Sequence, residues 1–152
     1  MARKTSAADD IPMPALLRAA RTAYGAAMRA ALAEAGFDDI PKNGLYVIGA
    51  LRRSGAPLSR IIEDLGVSKQ SAGQLVDALV LRGYLERDID EADRRRLTVA
   101  LSERGRAVAD IARKAVERVD AALAKKVGRE HIASTRKTLM AMIALARKGE
   151  NP

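Results

Sequence analysis

Leu65-Gly66-Val67-Ser68-Lys69-Gln70-Ser71 is the stretch on which the fold turns. A short run with helical spacing lies on either side of it. Ahead, Ile61, Ile62 and Leu65 make one apolar side, and Ser59 is placed to cap that helix. Behind, Ala72, Leu75, Val76 and Leu79 recur at gaps of three and four. Ser68 is the expected N-cap of this second helix, and Arg82-Gly83 supplies a basic end and a glycine stop. Between the two, Gly66 can take the left-handed conformation that a tight turn needs, and Val67 can pack between the helices. The proportions are those of a helix-turn-helix.

Immediately downstream the apolar period falls from about 3.6 to 2. Leu85, Arg87 and Ile89 share one face of a first strand, and Leu97, Val99 and Leu101 share one face of a second. Residues 90–96 between them are strongly charged, which predicts a β-hairpin with a polar tip.

Upstream, residues 1–10 read as a mobile tail. Pro12 and Pro14 suit a helix start, and Met13, Leu16, Leu17, Ala20, Tyr24, Met28 and Leu32 give that helix an apolar face ending at Gly36. A turn over 38–41 leads to a second helix marked by Leu45, Ile48 and Leu51, running to about Arg53 and weakened by Gly44 and Gly49. Beyond the hairpin, Ser102 can cap a helix carrying Val108, Ile111, Ala115, Val119 and Ala122. Gly128 interrupts, and a last helix carries Ile132, Leu139, Met142, Ile143 and Ala146. The fold class expected is mainly α with a small β-hairpin wing (α+β). In this division 11–36 and 103–148 are long terminal helices, and 38–102 is the winged helix-turn-helix.

The second helix of the motif exposes Lys69, Gln70, Ser71, Gly73 and Gln74 near its N-terminus. In a helix lying in the major groove, that end meets base edges. Lysine suits phosphate or guanine, and glutamine pairs with adenine. Ser59, Ser68 and Ser71 offer hydroxyls for phosphate oxygens, helped for the last two by the positive end of the helix. Gly73 admits two explanations, close approach of the helix to DNA or to a neighbouring helix, or a tolerated weak spot. Arg87 and the tip residues Arg94, Arg95 and Arg96 extend the basic surface, and an arginine on a hairpin tip can enter a narrow minor groove. Asp93 can hold the Arg95 guanidinium in a bidentate pair. Taken alone, the tip reads as a self-neutralising turn, because Asp88, Asp90, Glu91 and Asp93 lie nearby. Its place directly behind a helix-turn-helix turns the reading towards DNA.

Composition supports this and closes other routes. The 152 residues carry a formal net charge of +8, which favours polyanionic partners. Aromatic residues make up 3%, so the core must be aliphatic. No cysteine is present, which removes disulfides, thiolate metal sites and thiol redox sensing. The single histidine, His131, has no spaced metal or catalytic companions, so no metal, no cofactor and no enzyme are expected. No apolar run is long enough to span a bilayer and the N-terminus lacks the apolar stretch of a secretory signal, so a cytoplasmic protein without a membrane partner is expected.

Residues 58–105 resemble the MarR family of bacterial transcriptional regulators. The resemblance rests on Leu65-Gly66-Val67-Ser68-Lys69-Gln70-Ser71, Leu75-Val76-Asp77-Ala78-Leu79, Arg82-Gly83-Tyr84-Leu85-Glu86-Arg87, Asp93-Arg94-Arg95 and Leu101-Ser102-Glu103-Arg104-Gly105, in that order and spacing. Asp93, Arg95 and Leu101-Ser102 fit the family's wing pattern in register, whereas three consecutive arginines leave open which one enters the groove. Ile40 stands where the family often has a capping Thr or Ser, a role that Asp39 can take over. The resemblance implies a homodimer whose terminal helices interlock, two winged lobes on a palindromic double-stranded DNA site, and repression as the commoner outcome. It also implies release by a small aromatic or anionic effector bound between the two regions. There Tyr24 and Tyr46 are candidate ligand contacts, with Arg21 or Arg52 for a carboxylate, although the tyrosines read equally as half-buried core. The alternatives are a winged-helix adaptor for protein contact, or a constitutive DNA binder without a ligand.

Overall fold

The computed structural model describes residues 10–54, 58–89 and 97–148. Helices α1 (Met13–Glu34), α2 (Gly44–Ser54), α3 (Leu58–Leu65) and α4 (Lys69–Leu81) precede strands β1 (Leu85–Ile89) and β2 (Leu97–Leu101). Helices α5 (Glu103–Val127) and α6 (Arg129–Lys148) follow. The chain divides into two compact units, the first reaching Ala115 and the second starting at Val116, so α5 begins in one and ends in the other.

In the first unit the elements form where the local chemistry favours them. Pro12 precedes α1 and Pro14 lies in its first turn, where a missing N–H costs nothing. The hairpin is antiparallel, with Leu85 opposite Leu101, Arg87 opposite Val99 and Ile89 opposite Leu97. The pairing places Leu85, Arg87, Val99 and Leu101 on one face, as expected from alternation. Leu85 and Leu101 bury that face into a core with Leu32 of α1, Val47 and Ile48 of α2, Ile61 of α3, Leu75 and Leu79 of α4, and Val108 of α5. Burying an aliphatic side chain of this size contributes roughly 1.5–3 kcal/mol. Tyr84 is the one aromatic residue among these buried side chains, with its side chain fully enclosed.

The start of α5 is stitched to the corner between α4 and β1. Ser102 Oγ accepts from the Gly105 N–H at 3.0 Å and donates to the Gly83 carbonyl at 2.5 Å. The Ser102 N–H donates to the Tyr84 carbonyl at 3.2 Å. A Cβ on Gly105 would lie 2.1 Å from that same carbonyl oxygen, so only glycine permits the approach.

Three local expectations are corrected. Ser59 does not cap α3; the helix already begins at Leu58, and Ser59 lies exposed inside its first turn. Asp39 does not cap α2 either, because α2 starts only at Gly44 and the Asp39 carboxylate is engaged by Tyr84 and Arg104. Gly44 opens α2 rather than interrupting it.

The second unit holds the end of α5 and α6, joined through Gly128. Arg136 of α6 pairs with Asp120 of α5. None of its described side chains is buried, and Leu123, Val127, Met140, Met142, Ile143 and Leu145 are exposed. Among the described residues, no helix is long and apolar enough to cross a membrane.

Candidate nucleic-acid interface

The turn between α3 and α4 is set by two residues. Gly66 has φ 68°, in the left-handed region that favours glycine. Ser68, with φ −63° and ψ 154°, is the N-cap of α4; its Oγ accepts from the Ser71 N–H at 3.1 Å. The same hydroxyl donates to Ser71 Oγ at 2.9 Å. Ser68 is therefore occupied in holding the helix start.

From this cap, α4 runs with two unlike faces. Ala72, Leu75 and Leu79 are buried in the core. Lys69, Gln70, Ser71, Gly73, Gln74 and Asp77 are exposed. Positions 70, 73, 74 and 77 follow helical spacing, so they share one stripe. The structure thus brings the α4 candidates together on one exposed polar surface at the positive end of a helix. Amides and an ammonium group there can donate and accept at base edges or phosphates.

At the far end of the stripe, Asp77 Oδ1 accepts from Arg87 Nη2 of β1 at 2.8 Å. Arg87 is exposed beside α4, as a surface contact requires, but its charge is shared with a carboxylate that the sequence alone did not single out as its partner. The pair joins the hairpin to α4. The tip candidates Asp93, Arg94, Arg95 and Arg96 lie outside the described residues. Ser59 is exposed on α3.

Beneath the hairpin lies a polar cluster missed at the level of sequence. Tyr84 donates its hydroxyl proton to Asp39 Oδ1, and Arg104 Nη2 reaches the same oxygen at 3.3 Å and the Tyr84 hydroxyl oxygen at 3.1 Å. The Arg104 guanidinium carbon lies 5.0 Å from the Phe37 ring centre and 4.8 Å from that of Tyr84, within cation–π range. Arg82, the C-cap of α4, donates to the Asp39 carbonyl. The Tyr84 hydrogen bond, with Arg104 behind it, holds the Asp39 carboxyl below its ordinary value. Burial, then the Asp39 carboxylate, pushes the Tyr84 hydroxyl up. The cluster ties the α1–α2 connection to both the end of α4 and the start of α5.

Tyr24 is half-buried on α1, and Tyr46 is exposed on α2. Arg52, considered for a carboxylate ligand, pairs with Asp110 of α5 at 3.3 Å. Among the described residues, no three His, Cys, Asp or Glu side chains are grouped to hold a metal ion.

Comparison with known proteins agrees with this geometry. Residues 39–96 match the sequence model of the MarR family. The FabT protein of Streptococcus pneumoniae, solved in complex with DNA, superposes with a TM-score of 0.70 at 20% identity, over 88% of this chain and 94% of that one. The reduced form of MarR from E. coli gives 0.66 at 20% identity, over 87% and 96%. MepR of S. aureus, in its DNA complex, gives 0.66 at 17% identity, over 89% and 98%. None of the curated proteins compared matches the chain. The structural likenesses establish the fold.

Proposed function

We propose that the chain, whose residues 39–96 match the sequence model of the MarR family and whose fold is that of the winged-helix proteins above, is a transcriptional regulator binding double-stranded DNA as a homodimer. In this reading α4 enters the major groove of a palindromic site and the hairpin tip enters the minor groove. The observation that carries it is the capped, exposed polar stripe of α4 over a buried apolar face. A protein-contact surface would be expected to carry apolar side chains where Gln70, Gly73 and Gln74 stand. The solved DNA complexes of FabT and MepR, which share the fold, support the same reading.

Lys69, Ser71 and Arg87 are then phosphate contacts, Gln70 and Gln74 read base edges, and Arg95 is the preferred wing-tip contact. The segments 11–36 and 103–148 form the dimer. The unburied apolar side chains of the second unit support that assignment, since a second copy would remove them from water. Two-fold symmetry would set the α4 pair roughly 34–36 Å apart. Repression in the cytoplasm, relieved by a small aromatic or anionic effector near Tyr24 and Tyr46, completes the proposal.

The test is DNA binding by fluorescence anisotropy over a range of salt. Arg95→Ala should weaken binding with the dimer intact. Gln70→Ala should alter base preference more than non-specific affinity. Lys69→Ala should reduce the salt slope by about one unit. If all three variants bind like the wild type, α4 and the hairpin tip are not the DNA surface.

A further inference from the structure

Gly73 sits in the middle of the exposed stripe of α4, one turn after Gln70, beside Gln74 and one turn before Asp77. Three reasons for a glycine are absent within the described residues. Its φ is not positive, so no left-handed backbone requires it. A Cβ at this position would meet no atom within 4 Å, so no packed neighbour requires it. Helix propensity opposes it, because glycine is among the weakest helix formers. Two explanations are left, a tolerated weak spot or close approach by something outside the chain, and they differ in what Gly73→Ala does to binding.

The surroundings narrow what approaches. The side chains around the gap are two neutral amides and a carboxylate already held by Arg87. A phosphate is better served at Lys69, nearer the positive end of the helix. A neutral base edge suits the gap. Glutamine pairs with adenine through N6 and N7, and the thymine opposite displays a C5-methyl group in the same groove.

We propose that Gly73 is a specificity-determining residue, whose missing side chain leaves a recess in α4 that receives a thymine methyl group next to a base read by Gln70 or Gln74. This rests on the DNA-binding reading of α4.

The test uses the full-length chain and a duplex that it enriches from a random pool, with uracil replacing thymine one position at a time. Uracil differs only in lacking the methyl group. Gly73→Ala should raise the melting temperature by about 2–4 °C, because the helix gains propensity. It should weaken binding to the selected duplex by about tenfold or more while leaving an unrelated duplex unaffected. At one position, uracil should restore the variant to within a few-fold of wild type, since the new methyl group takes the place of the lost one. Unchanged affinity of Gly73→Ala for the selected duplex overturns the proposal. So does an equal loss on every uracil-substituted duplex, or an equal loss on unrelated DNA. Lys69→Ala in the same assay reports on the DNA reading independently of Gly73. If the wild type enriches no duplex, that reading fails and the proposal falls with it.

Discussion

Arg104 lies against the Phe37 and Tyr84 rings and hydrogen-bonds both the Tyr84 hydroxyl and Asp39. Tyr84→Phe keeps the ring and removes the hydroxyl that donates to Asp39 and accepts from Arg104. It should destabilise the protein by about 1–2 kcal/mol near neutral pH, measured by urea denaturation. The sign of the pH dependence follows from the two shifts. Asp39 is depressed from 3.8, so its contribution is present above that value and is lost as pH falls through the lower folded one. Tyr84 is raised from 10.0, so its contribution is present below 10.0 and is lost as pH rises through the higher folded value. The gap between wild type and Tyr84→Phe should therefore narrow as pH falls below 3.8; a gap that stays constant would remove Asp39 as the hydroxyl's partner. This cluster was not legible in the sequence. Its members stand 45 and 65 residues apart along the chain, and a tyrosine inside an alternating strand pattern carries no mark of its partner. The exposed residues of α4 were legible, because helical spacing alone separates Gln70 and Gln74 from Leu75 and Leu79.

At the scale of elements, the cap decides whether α4 presents those residues in fixed positions. Ser68→Ala should cost about 1 kcal/mol and speed amide hydrogen exchange in the first turn of α4, while Ser68→Thr should recover most of the loss. Unchanged exchange in Ser68→Ala would mean that the turn, not the hydroxyl, holds the helix start. The faces of the hairpin strands were readable because a period of two puts Leu85 and Leu101 on the apolar side of each strand; the register that sets them opposite each other was not, since a slip of two residues keeps the same faces. Nor was the start of α3. A serine one residue inside a helix looks the same in sequence as a serine just ahead of it, and Leu58-Ser59 fell on the wrong side of that ambiguity. The lateral link between Asp77 and Arg87 was also hidden, since each reads as an ordinary surface charge until β1 is laid beside α4.

For the whole molecule, the second unit makes the proposed dimer the natural place to look for cooperativity. Ile143 is 44% exposed in the single chain. Ile143→Glu should weaken self-association by at least about tenfold in sedimentation equilibrium and leave the first unit folded. Binding to a full palindrome should fall, while binding to an isolated half-site should not. A variant that sediments like wild type would separate α6 from the interface. The terminal apolar stripes were visible in the sequence, but their occupant was not, because periodicity marks a face and says nothing of what covers it.

The division at Ala115 also has an optical consequence. The chain has no tryptophan, and its aromatic residues, Tyr24, Phe37, Tyr46 and Tyr84, all precede that point. Near-ultraviolet circular dichroism therefore reports on the first unit alone, with the enclosed Tyr84 ring its most rigid chromophore. Far-ultraviolet dichroism reports helix from both units. Two melting curves recorded on one unlabelled sample thus reveal whether the units come apart together or in turn.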